Sequence, residues 1–181
     1  MNEKIIWDFL YDKTHNAYGT AAIMGNLMAE SSLNPKSATG TKNKNYVSDA
    51  DSGKIDFVHD SVAFGLVQWC FWSRKEALLK HAKERGTSVG DINTQLSYMW
   101  IEIQKYATVI DAVMNATNIR TASDIVMLKY ERPAGTGEAQ RQKRANYGQK
   151  YYDQFVKQDK DTIKVQRSKV EYWQQTLKNI L

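Results

Sequence analysis

Apolar residues recur along most of the chain at the spacing of an α-helix. Ile5, Ile6, Phe9 and Leu10 predict a short first helix, because side chains three and four positions apart share one helical face. The same period predicts later helices over residues 72–86, 91–105, 107–116, 121–131 and 138–157. With only 2 prolines and 10 glycines in the chain, few positions interrupt these helices, so the pattern predicts a mainly helical protein.

A second helix is predicted between Asn16, a favourable N-cap, and the Asn34-Pro35 pair. Proline disfavours helical backbone at the residue before it, which marks the end of this helix. Several of its residues are small, namely Gly19, Ala21, Ala22, Gly25 and Ala29. We therefore expect neighbouring helices to pack closely against it.

Other residue types mark the ends of the later helices. Ser73, Asp91 and Thr121 have side chains suited to an N-cap, and Gly86 is typical of a helix end. Residues 36–63 are polar and separate the second helix from the later ones. Within them, Tyr46-Val47 and residues 55–58 flank the turn-forming residues 49–53 and predict a small β-hairpin.

Composition narrows the class of protein. The chain has 181 residues, 42% of them hydrophobic, which fits one domain with its own core and is untypical of a disordered chain. Its net charge of +5 favours an anionic partner such as a teichoic-acid-bearing cell wall, or is ordinary surface charge. Basic residues form no stripe interleaved with aromatics, so no nucleic-acid partner is expected.

The chain shows neither an apolar run long enough to span a membrane nor a secretory signal at its start. If its substrate lies outside the cytoplasm, we expect delivery by a virion, a holin or another route. Cys70 lies among aromatic residues and the three histidines are isolated, which argues against a thiol nucleophile and a zinc site. Residues 49–53 resemble a calcium loop only faintly, so no metal or cofactor is expected.

The segment most informative about chemistry contains Glu30, near the end of the small and apolar second helix. A carboxyl group beside Leu27, Ala29 and Leu33 is expected to lose hydration and to keep its proton near neutrality. A protonated carboxyl is what a general acid needs to donate a proton to a glycosidic oxygen. The alternative is a glutamate that simply points into water.

Two further motifs follow in order: Phe64-Gly-Leu-Val-Gln-Trp69 and Tyr130-Glu-Arg-Pro133. Together with Glu30-Ser-Ser-Leu-Asn-Pro35 and Arg74-Lys75, they make residues 3–157 resemble the phage tail lysozyme family of the lysozyme and lytic transglycosylase superfamily. The resemblance implies a mainly α, lysozyme-like (α+β) fold. In that fold a helical bundle carries a small β-hairpin lobe beside the active-site cleft.

The resemblance also implies roles for single residues. Glu30 would be the catalytic acid, Gln68 would line the cleft near it, and Tyr130 would contact the acid and the substrate. Tyr130 departs from the Tyr-Asn-Ala-Gly stretch of the transglycosylases, so a core helix aromatic is the alternative. Trp69, one of several tryptophans, is a candidate for stacking on a sugar. Asp60 lies five residues before Gly65, where goose-type lysozymes place an aspartate that activates water. Asp56, Asp51 and Asp49 are the alternatives for this second carboxylate, and each is equally explained as a turn residue.

The sequence therefore predicts a lysozyme-like catalytic domain over residues 1–157 and an amphipathic helical tail or linker over residues 158–181. The expected activity is an N-acetylmuramidase that cleaves peptidoglycan from a virion tail or at the cell wall, in a phage tail or endolysin setting. A lytic transglycosylase and a non-catalytic wall-binding or structural tail module are the alternatives. Other tail or lysin domains of a longer polypeptide are expected partners.

Overall fold

The computed structural model describes residues 2–156, which form helices around a central helix and a small lobe. The helices are α1 (Asn2–Thr14), α2 (Ala17–Ser31), α3 (Tyr46–Asp51), α4 (Trp72–Glu84), α5 (Ile92–Ile103), α6 (Ala107–Met114), α7 (Ile119–Val126) and α8 (138–156). A single π-helical turn, Met127–Glu131, continues α7. The predicted tail, residues 158–181, lies outside the described residues.

The central element is α2, which packs against α1, α6 and α7 and is buried over most of its length. Its N-cap is Asn16, as predicted, whose side chain accepts a hydrogen bond from the Gly19 amide at 3.0 Å. The small residues of α2 admit close neighbours: a Cβ atom on Gly19 would lie 1.8 Å from the Val113 carbonyl oxygen of α6. The predicted close packing is confirmed.

The lobe between α2 and α4 contains the two strands of the described chain, β1 (Ala38–Thr39) and β2 (Ala63–Phe64). They pair antiparallel, with Ala38 opposite Phe64. A mainly α fold with a small antiparallel sheet is therefore confirmed, but the predicted hairpin position is wrong. Residues 46–51 form α3 and residues 55–58 form turns.

Two apolar residues are too few to distinguish a strand from a helix, and here burial follows the helical period. Tyr46 and Ala50, four positions apart, both face the core. The Tyr46 ring packs against Phe57 and Phe64, with ring centroids 6.0 and 5.5 Å away. This aromatic cluster is the core of the lobe.

The predicted helix ends are partly confirmed. Asp91 caps α5 by accepting a hydrogen bond from the Thr94 amide, and Gly86 follows α4 with φ +63°. Ser73 and Thr121 are not caps. The N-cap of α4 is Phe71, and α7 begins after Asn118 because the Asn118 side chain accepts from the Thr121 amide at 2.9 Å.

The second helix also ends earlier than predicted. It stops at Ser31, because Ser32 turns into the left-handed region at φ 54° before the chain reaches Pro35. Across residues 2–156, no helix combines the length and apolarity that crossing a bilayer requires.

Candidate active site

Glu30 lies in the last turn of α2, at the side of the molecule where that helix meets the lobe. Its side chain is 17% exposed, so the carboxyl group is neither sealed in the core nor free in water. The next residue, Ser31, donates a hydrogen bond through its hydroxyl to the Leu66 carbonyl at 3.0 Å. This bond fixes the second sequence motif, residues 64–69, beside the end of the helix that carries Glu30.

Arg144 of α8 is the hydrogen-bonding partner of Glu30. Its Nη2 donates to Glu30 Oε1 at 2.6 Å, and its side chain is only 6% exposed. Its Nη1 donates to Asn26 Oδ1 at 3.1 Å, one turn earlier on α2. The Asn26 amide in turn donates to the Ser123 side chain of α7. A charge-assisted bond inside a network of three helices holds the carboxyl group in one place.

Glu131, the last residue of the π turn, is a candidate site residue that the sequence did not reveal as such. The residue as a whole is partly exposed, but its Oε1 atom is buried and has no hydrogen-bond partner among the described residues. Burial, followed by the negative charge of nearby Glu30, raises its pKa well above the usual value for glutamate. The available signal was an acidic residue directly after an apolar helical run, within the Tyr-Glu-Arg-Pro motif.

A second buried network surrounds Glu102 of α5. Its carboxylate accepts hydrogen bonds from the Trp69 indole at 2.7 Å, the Tyr130 hydroxyl at 2.9 Å and the Tyr98 hydroxyl at 3.1 Å. Arg74 adds a two-pronged contact, with both bonds at 2.8 Å. Burial alone would raise the pKa of Glu102, but the Arg74 bonds and charge hold it below its ordinary value.

This network places two of the predicted substrate residues behind the surface. Trp69 is fully buried and Tyr130 is 3% exposed, so neither ring offers a free face to a sugar. Both instead join the turn of residues 64–69 and the π turn to α5. Phe71 and Trp72, which directly follow this turn in the chain, are far more exposed, at 60% and 50%.

Gln68 lies in the turn that follows β2, half-buried, with its side-chain amide donating to the Gly65 carbonyl at 2.9 Å. The turn is fastened from below by the fully buried Gln95, whose side-chain oxygen accepts from the Leu66 amide at 2.9 Å. Gly65 has φ +76°, and a Cβ atom there would lie 2.6 Å from the Gln95 side chain. Only glycine fits this turn without strain.

Unusual backbone conformations gather at the three sequence motifs. Of the five non-glycine residues with positive φ in residues 2–156, Ser32 and Leu33 directly follow the Glu30 turn. Gln68 lies in the second motif, and Arg132 directly follows Glu131. Such conformations are costly, persist where surrounding structure enforces them, and concentrate at functional sites. The π turn at residues 127–131 is a feature of the same kind.

Asp60 lies in the lobe, where its carboxylate forms an ion pair with Lys75 of α4. The Lys75 side chain is fully buried, and Asp60 also accepts hydrogen bonds from the Tyr46 hydroxyl at 2.8 Å and the Val62 amide at 3.1 Å. These described partners all belong to the lobe and α4. Asp60 therefore anchors the lobe to α4.

The other aspartates of the lobe have local partners as well. Asp56 is exposed and accepts from the His59 amide, while Asp49 accepts from the Asn43 side chain. Asp51 accepts from the Ser88 hydroxyl and the Val89 amide, which ties α3 to the loop before α5. Each of these three aspartates behaves as a turn or helix-end residue. The carboxyl group whose charge acts most strongly on Glu131 is Glu30, and not an aspartate of the lobe.

The described residues form a helical domain with a small two-stranded lobe, and the carboxyl group of Glu30 lies where the central helix meets that lobe. These features define the class of lysozyme-like proteins. The model of the phage tail lysozyme family matches residues 1–155, and the chain belongs to this family. It is thus a member of a family of lysozyme-like cell-wall hydrolases. A search of curated proteins found no match.

Proposed function

We propose that this protein is an N-acetylmuramidase that cleaves the glycan strands of peptidoglycan, with Glu30 as its general acid. The observation that carries the proposal is the position of Glu30: a carboxyl group at the end of a buried helix, 17% exposed and held by Arg144. A group with these properties can reach a bound glycan while its orientation stays fixed. The strained residues Ser32 and Leu33 that follow it support a functional site.

In the proposed reaction, Glu30 protonates the oxygen of the scissile glycosidic bond as an oxocarbenium-like state develops at the sugar. Asp60 is the proposed base that activates water on the opposite face of the ring. That geometry inverts the anomeric centre and requires carboxyl groups ~6.5–9.5 Å apart. If Asp60 only pairs with Lys75 and activates no water, the sugar's own 6-hydroxyl group attacks the anomeric carbon, and the enzyme is a lytic transglycosylase.

The solvent-exposed residues beside the site suit a sugar substrate. Phe71 and Trp72, which follow the Gln68 turn in the chain, are 60% and 50% exposed, although the Trp72 ring also stacks against His59. The net charge of +5 favours a wall that carries anionic polymers. Gln68 is the proposed polar contact to the glycan in this turn. We place the protein at the virion tail or at the bacterial cell wall, alone or with further tail or lysin domains.

The decisive experiment compares wild type with Glu30→Gln on a peptidoglycan suspension. Loss of a general acid usually lowers turnover by on the order of 10²–10⁴, so we expect the variant to clear the suspension at less than about a hundredth of the wild-type rate. Circular dichroism should show an unchanged fold. Glu76→Gln, an exposed glutamate of α4, is the matched control and should lyse normally.

Mass spectrometry of the released fragments separates the two chemistries. Reducing ends indicate hydrolysis, and anhydro sugars indicate transglycosylation. A protein that co-sediments with walls but releases no fragments would be a binding or structural module, and Glu30 would then have no catalytic role.

A further inference from the structure

The charged groups around Glu131 do not balance. Three carboxyl groups, Glu30, Glu102 and Glu131, face two guanidinium groups, Arg74 and Arg144, across elements that pack together. Arg74 is paired with Glu102 and Arg144 with Glu30. These two ion pairs leave the carboxyl group of Glu131 without a guanidinium partner. One proton on the cluster would bring its net charge to zero, and burying an uncompensated charge is costly.

Two buried atoms of this cluster lack a hydrogen bond. They are Oε1 of Glu131 and Nε of Arg144, and they are the two unsatisfied buried side-chain atoms found within residues 2–156. One is an acceptor and the other a donor, and the positive charge of Arg144 acts on Glu131. Buried polar groups seldom lack a hydrogen bond, so two such atoms in one cluster favour a second arrangement of these side chains. An arrangement in which Arg144 turns its Nε–H to Glu131 would satisfy both.

We propose that Glu30 and Glu131 share one proton beside the positive charge of Arg144: Glu131 holds the proton in the free protein, and Glu30 receives it when a glycan strand binds. The proposal rests on the proposed function of Glu30 and assigns Glu131 as a positioning residue. In the free protein, Arg144 donates a 2.6 Å hydrogen bond to Glu30 and supplies the positive charge beside that carboxyl group. When the glycan binds beside Glu30 and displaces water from its carboxyl group, the proton moves from Glu131 to Glu30.

The step conserves charge and protons. Glu131 loses the proton and becomes a carboxylate, and Glu30 gains the proton and becomes a carboxylic acid. The guanidinium group of Arg144 then pairs with Glu131 in place of Glu30. Glu30 then donates the proton to the glycosidic oxygen. The energetic argument is that a buried carboxylate at Glu131 becomes tolerable only if Arg144 pairs with it, because a buried ion without a partner is strongly disfavoured.

The protonation of Glu131 can be measured without any turnover. In protein labelled with ¹³C at the glutamate carboxyl carbons, the resonance that disappears in Glu131→Gln identifies Glu131. We expect that resonance to report a protonated carboxyl at pH 7, whereas exposed glutamates titrate near their usual value of ~4.3. Titration of Glu131 in that ordinary range would overturn the proposal. Because this measurement needs no substrate, it stands even if the protein proves inactive on walls.

The pH profile of lysis tests the transfer itself. In Glu131→Gln, Glu30 keeps its bond to Arg144 and has to take its proton from solvent. We expect lysis at pH 7 to fall at least tenfold and the optimum to move to lower pH, where part of the activity returns. A profile with the wild-type shape would make Glu131 merely structural, and a loss at every pH with an intact fold would make it a direct chemical participant. Either result overturns the proposal, and Glu76→Gln should leave the profile unchanged.

Discussion

Arg144 and Glu30 are joined by a 2.6 Å hydrogen bond although 114 residues separate them in the chain. The bond requires α8 and α2 to approach closely, and two glycines permit it. A Cβ atom on Gly25 would lie 2.3 Å from the Arg144 carbonyl oxygen, and one on Gly148 would lie 2.7 Å from the Ala21 carbonyl oxygen. The close contact between α8 and α2 and the placement of Glu30 are therefore parts of one arrangement.

Gly25→Ala should accordingly damage both stability and activity. The new methyl group meets backbone rather than a flexible side chain, so α8 has to move away from α2. Overpacking of this kind usually lowers the free energy of unfolding by about 1–3 kcal/mol, and we expect the upper end of that range. Denaturant unfolding and lysis assays measure the two effects. Gly137→Ala, where no atom lies within 4 Å of the new Cβ, is the matched control and should change neither by much.

Glu131→Gln should make the protein more stable at neutral pH. Glutamate in the unfolded chain ionises near pH ~4.3, but the raised pKa of Glu131 means that its carboxyl group keeps the proton to higher pH in the folded protein. Stability therefore falls as pH rises from the unfolded pKa to the folded one, by about 1.4 kcal/mol per tenfold change in proton affinity. Glutamine does not titrate and avoids this loss.

Thermal unfolding of wild type and Glu131→Gln at several pH values measures this effect. Below pH 4 the carboxyl is protonated in both states, so the two proteins should differ least there. The advantage of the variant should grow towards pH 7. A difference that stays constant with pH would show that Glu131 ionises normally in the folded protein.

Glu102→Gln should destabilise the fold. The change removes the charge that balances Arg74 and disturbs the bonds from Trp69 and Tyr130, in a side chain only 8% exposed. Removing one partner of a buried ion pair costs about 3–5 kcal/mol. Because the pKa of Glu102 is lowered in the folded protein, its contribution is present above the unfolded value and is lost as pH falls through the folded one. The stability gap to wild type should therefore narrow in acid.

Asp60→Asn separates an anchoring role from a catalytic one. The fully buried ammonium group of Lys75 would lose its counter-charge, so we expect the free energy of unfolding to fall by about 3 kcal/mol. Lysis is then measured per folded molecule, well below the unfolding temperature. A further loss of turnover with intact wall binding would support Asp60 as the base. Unchanged turnover would assign it to the lobe alone and favour transglycosylation.

Asp56→Asn is the control for this experiment. Asp56 lies in the same lobe but is exposed, with its side chain 67% accessible and its described partner His59 equally so. Substitution there should change stability by less than about 0.5 kcal/mol. A greater loss of turnover at Asp56 than at Asp60 would transfer the role of base to Asp56.

The sequence alone determined the helical class and singled out Glu30 as the proposed acid, because both inferences depend on local order. The apolar period specifies which face of a helix is buried, and Asn16 and Asp91 cap helices through contacts within three residues. Glu30 stands out because its neighbours along the chain are small or apolar. Where the local pattern was too short, as at residues 46–58, the lobe's aromatic packing decided the secondary structure instead.

Only the tertiary structure decided what surrounds Glu30. Arg144 and Glu131 reach Glu30 from α8 and the π turn, and no spacing along the chain encodes such distant contacts. Lys75 looks like a surface lysine in the sequence yet is fully buried, because Asp60 and Tyr46 supply its partners. Burial and charge pairing depend on which side chains the fold brings together, and these set the proton affinity on which the proposed chemistry depends.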